Sequence, residues 1–175
     1  MKTPILETER LTLRPITVAD AEEIYTNWTS DHEVAKYMTW NTHPCVDITI
    51  EWLTDVEKRQ DSDTAYDWGF VRKADGKLIG SGGLYYKEDF GGFVIGYNIM
   101  KNCWHQGYTT EAARSMIDFA VKKLGAKKFL GQHAIDNPNS GKVMEKVGFK
   151  YIKNGYYTKM DGTQVEAREY ILELE

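Results

Sequence analysis

The stretch from Ile99 to Ala113, IMKNCWHQGYTTEAA, constrains this chain more than any other, because it joins a strand-like run to a helical run through a donor-rich turn. Backbone N–H groups in the first turn of a helix have no partner within it. The helix macrodipole adds partial positive charge at the same end, so a phosphate or pyrophosphate is favoured there. Gly107 has no Cβ, which lets a bulky anion approach the main chain. His105, Gln106, Gly107, Tyr108, Thr109 and Thr110 are therefore the candidate anion-binding residues. An ordinary strand-to-helix turn with a glycine is the other reading of the same run.

A second segment, NPNSGKVMEKVGF from Asn137 to Phe149, has the form N-x-x-S followed by an amphipathic helix. Val143, Met144 and Val147 share one face at helical spacing. Gly148 suits the residue just past a helix end, with Phe149 opening the next strand. Asn137 and Ser140 fit a helix cap as well as a ligand contact.

The remaining elements follow from caps, turns and periodicity. Leu11 to Pro15 reads as a strand, and Thr17-Val18-Ala19-Asp20 and Ser30-Asp31-His32-Glu33 read as capped helix starts. Asp47 is the expected cap of a longer helix through Gln60, with Ile48, Trp52, Leu53 and Val56 on its apolar side. Tyr66 to Arg72 and Lys77 to Tyr86 are strands joined by the hairpin signal Ala74-Asp75-Gly76. Gly80-Ser81-Gly82-Gly83 lacks a following helix and a G-K-[ST] pattern, so close backbone approach or a bulge explains it better than a phosphate loop. Strands at Phe93 to Met100 and Lys128 to Ala134 and a final hairpin about Asp161-Gly162 complete the series. This order makes an α+β domain with a mixed, mostly antiparallel sheet and helices on its faces.

At 175 residues, 42% of them hydrophobic, the chain is expected to form a single domain over residues 1–175. A net charge of −4 and the absence of a basic stripe argue against nucleic-acid binding. No apolar run approaches the roughly 18 residues of a membrane span, and MKTPILETERL has no signal-peptide core, so no membrane partner and a cytoplasmic location are expected. Cys45 and Cys103 are too far apart in sequence to suggest a disulfide framework. No histidine spacing points to a metal site.

Together these segments resemble the GNAT superfamily of acyl-CoA N-acyltransferases, in its RimJ/RimL-like branch. The run from Ile95-Gly96-Tyr97 to Trp104-His105-Gln106-Gly107-Tyr108-Thr109-Thr110-Glu111-Ala112 matches one motif of that branch, and Asn137, Ser140, Val143, Glu145, Lys146, Gly148 and Phe149 match another. The opening Glu7 to Pro15 and Leu78-Ile79-Gly80 match two more, all in the expected order across essentially the whole chain. The resemblance implies a sheet splayed at the cofactor site, acetyl-CoA as donor and CoA as product. It implies main-chain pairing of the pantetheine arm with Ile99, Met100 and Lys101, and places Asn137, Asn139 and Ser140 near that arm. Ser140, then Tyr97, are the candidates to protonate the departing thiolate.

Four positions depart from the pattern. Trp104 and Thr109 stand where the superfamily signature has Gln or Arg and Gly or Ala, and His105 replaces the branch's first loop glycine. Val94 stands where the branch often carries Glu, which removes the obvious base and leaves Glu88 and Asp89 as the nearest carboxylates in sequence. The acceptor expected from this is a low-pKa amine, a protein N-terminus or a small α-amino compound. An α-amine titrates near 7.7–8.0, whereas a lysine near 10.4 needs about 4 kcal/mol to lose its proton. Loops around Trp40 and Tyr86–Gly92 are expected to set acceptor choice, in a monomer or homodimer. The competing reading is a CoA-binding sensor or interaction module that no longer turns over.

Overall fold

Alternating burial resolves into eight strands in the computed structural model, which describes residues 1–175. They are β1 (Leu6–Glu7), β2 (Leu11–Arg14), β3 (Ala65–Arg72), β4 (Leu78–Lys87), β5 (Gly92–Ile99), β6 (Lys128–Ala134), β7 (Lys150–Thr158) and β8 (Gln164–Glu173). One sheet holds them in the order β1-β2-β3-β4-β5-β6-β8-β7. Every neighbouring pair is antiparallel except β5 and β6. A parallel pair needs a crossover connection, and helix α4 (Tyr108–Leu124) supplies it. The other helices are α1 (Ala21–Ile24), α2 (His32–Ala35), α3 (Val46–Arg59) and α5 (Pro138–Lys146), with a π-helical turn at Tyr25–Thr29 after α1.

Helices cover both faces of the sheet. Tyr66, Trp68 and Phe70 are fully buried on the α4 face, where Phe119 meets the Tyr66 and Trp68 rings edge-on at 5.3 and 5.6 Å. Each such buried side chain contributes about 1.5–3 kcal/mol. Asp67 and Gly69 alternate onto the other face, where Arg59 of α3 bonds Asp67 and a Cβ at Gly69 would fall 2.5 Å from Ile16. The Gly80–Gly83 run is a site of close backbone approach, since a Cβ at Gly80 would lie 2.4 Å from the Asn98 carbonyl oxygen.

Two helix starts differ from expectation. Cys45, not Asp47, precedes the first turn of α3, and the helix ends at Arg59 with Gln60 as its C-cap. Asp31 rather than Ser30 caps α2, accepting the Glu33 N–H at 2.9 Å. In α3 the core stripe is Thr49, Leu53 and Val56, while Ile48 and Trp52 turn toward a cavity. The feature that positions the site is the β5–β6 junction. The strands pair only at Phe93↔Phe129 and Val94↔Leu130 and then separate, opening a gap between Gly96–Asn98 and Gln132–His133.

Candidate active site

At the head of α4, Gly107 is the N-cap with φ +81, left-handed backbone that glycine adopts at no steric cost. The six backbone N–H groups from His105 to Thr110 have no acceptor in the protein. His105 has φ +60, the conformation a glycine would take, so the loop keeps its shape at some steric cost. Trp104 ties the loop to the strand before it, its Nε1 donating to the Ile99 carbonyl at 3.0 Å. The chain's opening segment buttresses the other side. Glu111 accepts from Thr8 Oγ1 (2.6 Å), the Arg10 N–H (2.7 Å) and Arg10 Nε (2.7 Å), while Arg10 also reaches the Gln106 carbonyl at 2.9 Å and lies 4.3 Å over the Tyr108 ring. An open polar groove beside Gly107 carries Arg10, Arg114 and Lys146.

The gap brings Tyr97 and Ser140 together. Ser140 Oγ donates to the Tyr97 hydroxyl at 3.3 Å, and that hydroxyl donates to the Ser140 carbonyl at 3.1 Å. Burial pushes the Tyr97 phenol well above its ordinary range, so it stays protonated. Asn137 sits at the N-cap of α5, yet neither its side chain nor that of Ser140 caps the helix; the Ser140 N–H takes the Asn137 carbonyl at 3.2 Å. Both side chains are left to face the cavity, which Asn137 and Ser140 line. Asn139 is exposed on α5 and does not line it.

On β5, the Met100 N–H donates to the Ile79 carbonyl at 2.8 Å. Alternation along an antiparallel ladder then turns the backbone groups of Tyr97 and Ile99 toward the gap. The Met100 amide is thus spent on β4, and Lys101 lies in an exposed 3-10 turn. Cys103 is buried, receives a 3.5 Å contact from Arg72, and has its thiol pushed up by burial, which makes it a poor nucleophile.

The gap opens into a cavity of about 900 Å³ that reaches across the sheet to α3. Ile48, Glu51, Trp52, Asp55 and Arg59 form one stripe of α3 along its wall. These carboxylates, with Asp67, were not singled out from the sequence. Glu88 and Asp89 lie instead in the exposed turn after β4, and the 86–92 segment is off the cavity wall. The Trp40 loop does line it, roofed by the β7–β8 turn. Lys159 Nζ donates to the Ala35 and Met38 carbonyls, each at 2.9 Å, the Met160 N–H to Thr39 at 2.8 Å, and the Tyr157 hydroxyl to Tyr37 at 2.7 Å.

Two cavity-lining histidines are buried, and burial lowers the pKa of each below the ordinary 6.5. For His133, its hydrogen bond to the Ala134 carbonyl only partly offsets that effect. A ring kept neutral in the fold binds fewer protons than its unfolded counterpart, so stability should fall as pH drops below about 6.5, by at most about 1.4 kcal/mol per pH unit for each ring. Burial alone would raise the Glu111 carboxyl, but hydrogen bonds from Thr8 and Arg10 outweigh it and hold the pKa below 4.5. That stabilisation is present above about 4.5 and is lost as pH falls through the depressed value. Urea midpoints should therefore show two acid limbs, and His43→Gln should flatten only the upper one.

Four features lie together in one region of the fold: unpartnered amides at a helix start, a split in the sheet, hydroxyls beside it and the cavity beyond. The acetyltransferase (GNAT) domain family matches residues 10–150, and the chain belongs to that family. The uncharacterized N-acetyltransferase YoaA of Bacillus subtilis (strain 168) is 28% identical over 171 residues, covering 95% of each chain. Among solved structures, the ribosomal-protein-S5-alanine acetyltransferase of Vibrio fischeri has a TM-score of 0.83 at 19% identity, covering 97% of this chain and 96% of that one. The microcin C7 self-immunity acetyltransferase MccE, in complex with acetyl-CoA and AMP, has a TM-score of 0.84 at 18% identity, covering 95% and 94%. The protein is an N-acetyltransferase with the GNAT fold. No helix is long and apolar enough to cross a membrane.

Proposed function

We propose that the protein moves an acetyl group from acetyl-CoA to a primary amine by direct attack, without a covalent enzyme intermediate. The observation that carries this reading is the run of six unpartnered N–H groups from His105 to Thr110, beside a sheet that splits after Val94. Acetyl-CoA fits the residues present, since a diphosphate satisfies those amides, and Arg114 and Lys146 stand in the mixed-charge groove beside Gly107, where Arg10 is already paired with Glu111. When bound, it supplies an activated thioester carbonyl.

The chain's own groups do the rest. The Tyr97 and Ile99 amides turn toward the gap, and a donor aimed at the developing oxyanion in a dry site contributes about 2.7–4 kcal/mol. Ser140 Oγ rests its proton on the Tyr97 hydroxyl through a long 3.3 Å bond, and a turn about its Cα–Cβ bond redirects that proton to the leaving sulfur. Asn137 faces the same wall and suits the amides of the pantetheine arm. Val94 leaves β5 without a carboxylate at the gap, Arg59 occupies both oxygens of Asp67, and the cavity's other carboxylates, Glu51 and Asp55, stand on α3 at its far wall. Acceptor amines that are already partly neutral near pH 7.5 suit such a site, which points to a peptide N-terminus or a small α-amine.

Thiol release from acetyl-CoA, measured with N-terminal peptides, amino acids, polyamines and aminoglycosides, tests this. The expected result is kcat/KM for α-amines at least about tenfold above that for lysine side chains. Higher values for lysine side chains or polyamines would refute the acceptor assignment. Stabilisation by acetyl-CoA with no thiol release from any amine would make the protein a CoA-binding module instead.

A further inference from the structure

Across the sheet, Asp67, Gly83 and Gly96 stand directly opposite one another on β3, β4 and β5, so their side-chain positions share one face and one row. Two of the three have no side chain, and the row becomes a trough running from Asp67 to the β5–β6 gap. All three residues line the cavity. A Cβ at Gly96 would meet nothing within 4 Å, whereas one at Gly83 would fall 2.5 Å from the Tyr85 hydroxyl. Tyr85 therefore folds back over Gly83, with its oxygen above the trough.

The direction of the Tyr85 hydrogen bond is set by its partners. Asp67 receives Arg59 Nε at 2.9 Å on one oxygen and Arg59 Nη2 at 3.0 Å on the other, so its carboxylate acts as an acceptor. The Tyr85 hydroxyl donates its proton to Asp67 at 2.5 Å. Burial and the adjacent carboxylate both push the phenol up, so it keeps that proton. Arg59 lies 5.6 Å over the ring and further fixes it. With its proton committed to Asp67 and the Arg59 guanidinium beside it, the phenolic oxygen keeps a lone pair for one further hydrogen-bond donor.

We infer that Tyr85 binds the acceptor amine, its oxygen accepting an N–H from an amine seated over Gly96 at the edge of the gap. This rests on the acetyltransferase reading above. The nitrogen keeps its lone pair free to face the thioester carbonyl, and Asp67 and Arg59 act only by holding Tyr85 in place. No proton need pass to Tyr85, so the residue acts on amine binding and aim rather than as the base.

Tyr85→Phe retains the ring and its packing and removes only that oxygen. In the thiol-release assay with the best amine of the panel, the amine KM should rise about 10- to 100-fold, with the acetyl-CoA KM within about twofold of wild type. Gly96→Ala projects a methyl into open space, so the fold is retained while the trough is filled; it too should raise the amine KM. An unchanged amine KM in Tyr85→Phe overturns the placement of the amine alone, because wild-type turnover would still stand. Wild-type protein that transfers acetyl to none of the amines overturns both this inference and the reading beneath it.

Discussion

Gly107→Val protein should bind acetyl-CoA at least about 30-fold more weakly than wild type. A β-branched residue at φ +81 is strained by roughly 1–2 kcal/mol, and its Cβ would come 3.3 Å from Arg10 Nη2. The added methyls also occupy the approach of the anion to the amides on either side. At a ligand concentration of 100 times the wild-type Kd, stabilisation is about 2.7 kcal/mol, or roughly 5–10 °C in Tm. A 30-fold loss cuts that stabilisation to about a third. Melting curves with and without acetyl-CoA measure it directly, and an undiminished shift in the variant would place the diphosphate elsewhere.

The second large effect concerns stability. Arg59→Leu strands the Asp67 carboxylate, whose side chain is 5% exposed, with Tyr85 as its remaining donor. Removing one partner of a buried pair costs several kcal/mol. Arg59 is itself 35% exposed, so solvent screening reduces the figure to about 2–4 kcal/mol, roughly 4–16 °C in Tm. Adding Asp67→Asn to the same protein should recover most of the loss, since the uncompensated charge is then gone. A single variant as stable as wild type would show that the pair is solvated. Thermal or urea unfolding of the two proteins decides it.

Local signals were the legible part of this chain. The start of α4, the β6 bounds, the turns at Gly76 and Gly162 and the role of Gly148 after α5 all depend on residues a few positions apart. The cradle of amides was legible for the same reason, because helix starts expose N–H groups whatever the side chains are. His105 is the instructive exception. Read as a letter it looks like a broken motif, but a left-handed φ lets histidine occupy the place of a glycine. Only backbone angles reveal that.

The cavity wall along α3 and β3 was hidden because it is built from distant pieces. Arg59 and Asp67 lie eight residues apart and meet only because α3 packs on β3. Tyr85 joins them through strand register, which no periodicity encodes. Helical spacing grouped Ile48 and Trp52 with Leu53 and Val56, yet it could not separate an apolar face lining a cavity from one filling the core. Proximity along the chain also misled, since Glu88 and Asp89 adjoin the motif strand but point into solvent.

The ceiling of that cavity has a consequence for engineering. Residues 35–41 hang from residues 157–161 through Lys159, Met160, Tyr157 and a reciprocal Asn41–Asp161 pair, although some 120 positions separate them. Grafting the first segment from a relative without the second leaves backbone carbonyls stripped of their tethers. The two pieces form one cassette, and a graft that reshapes this cavity keeps its tethers only when both are transplanted.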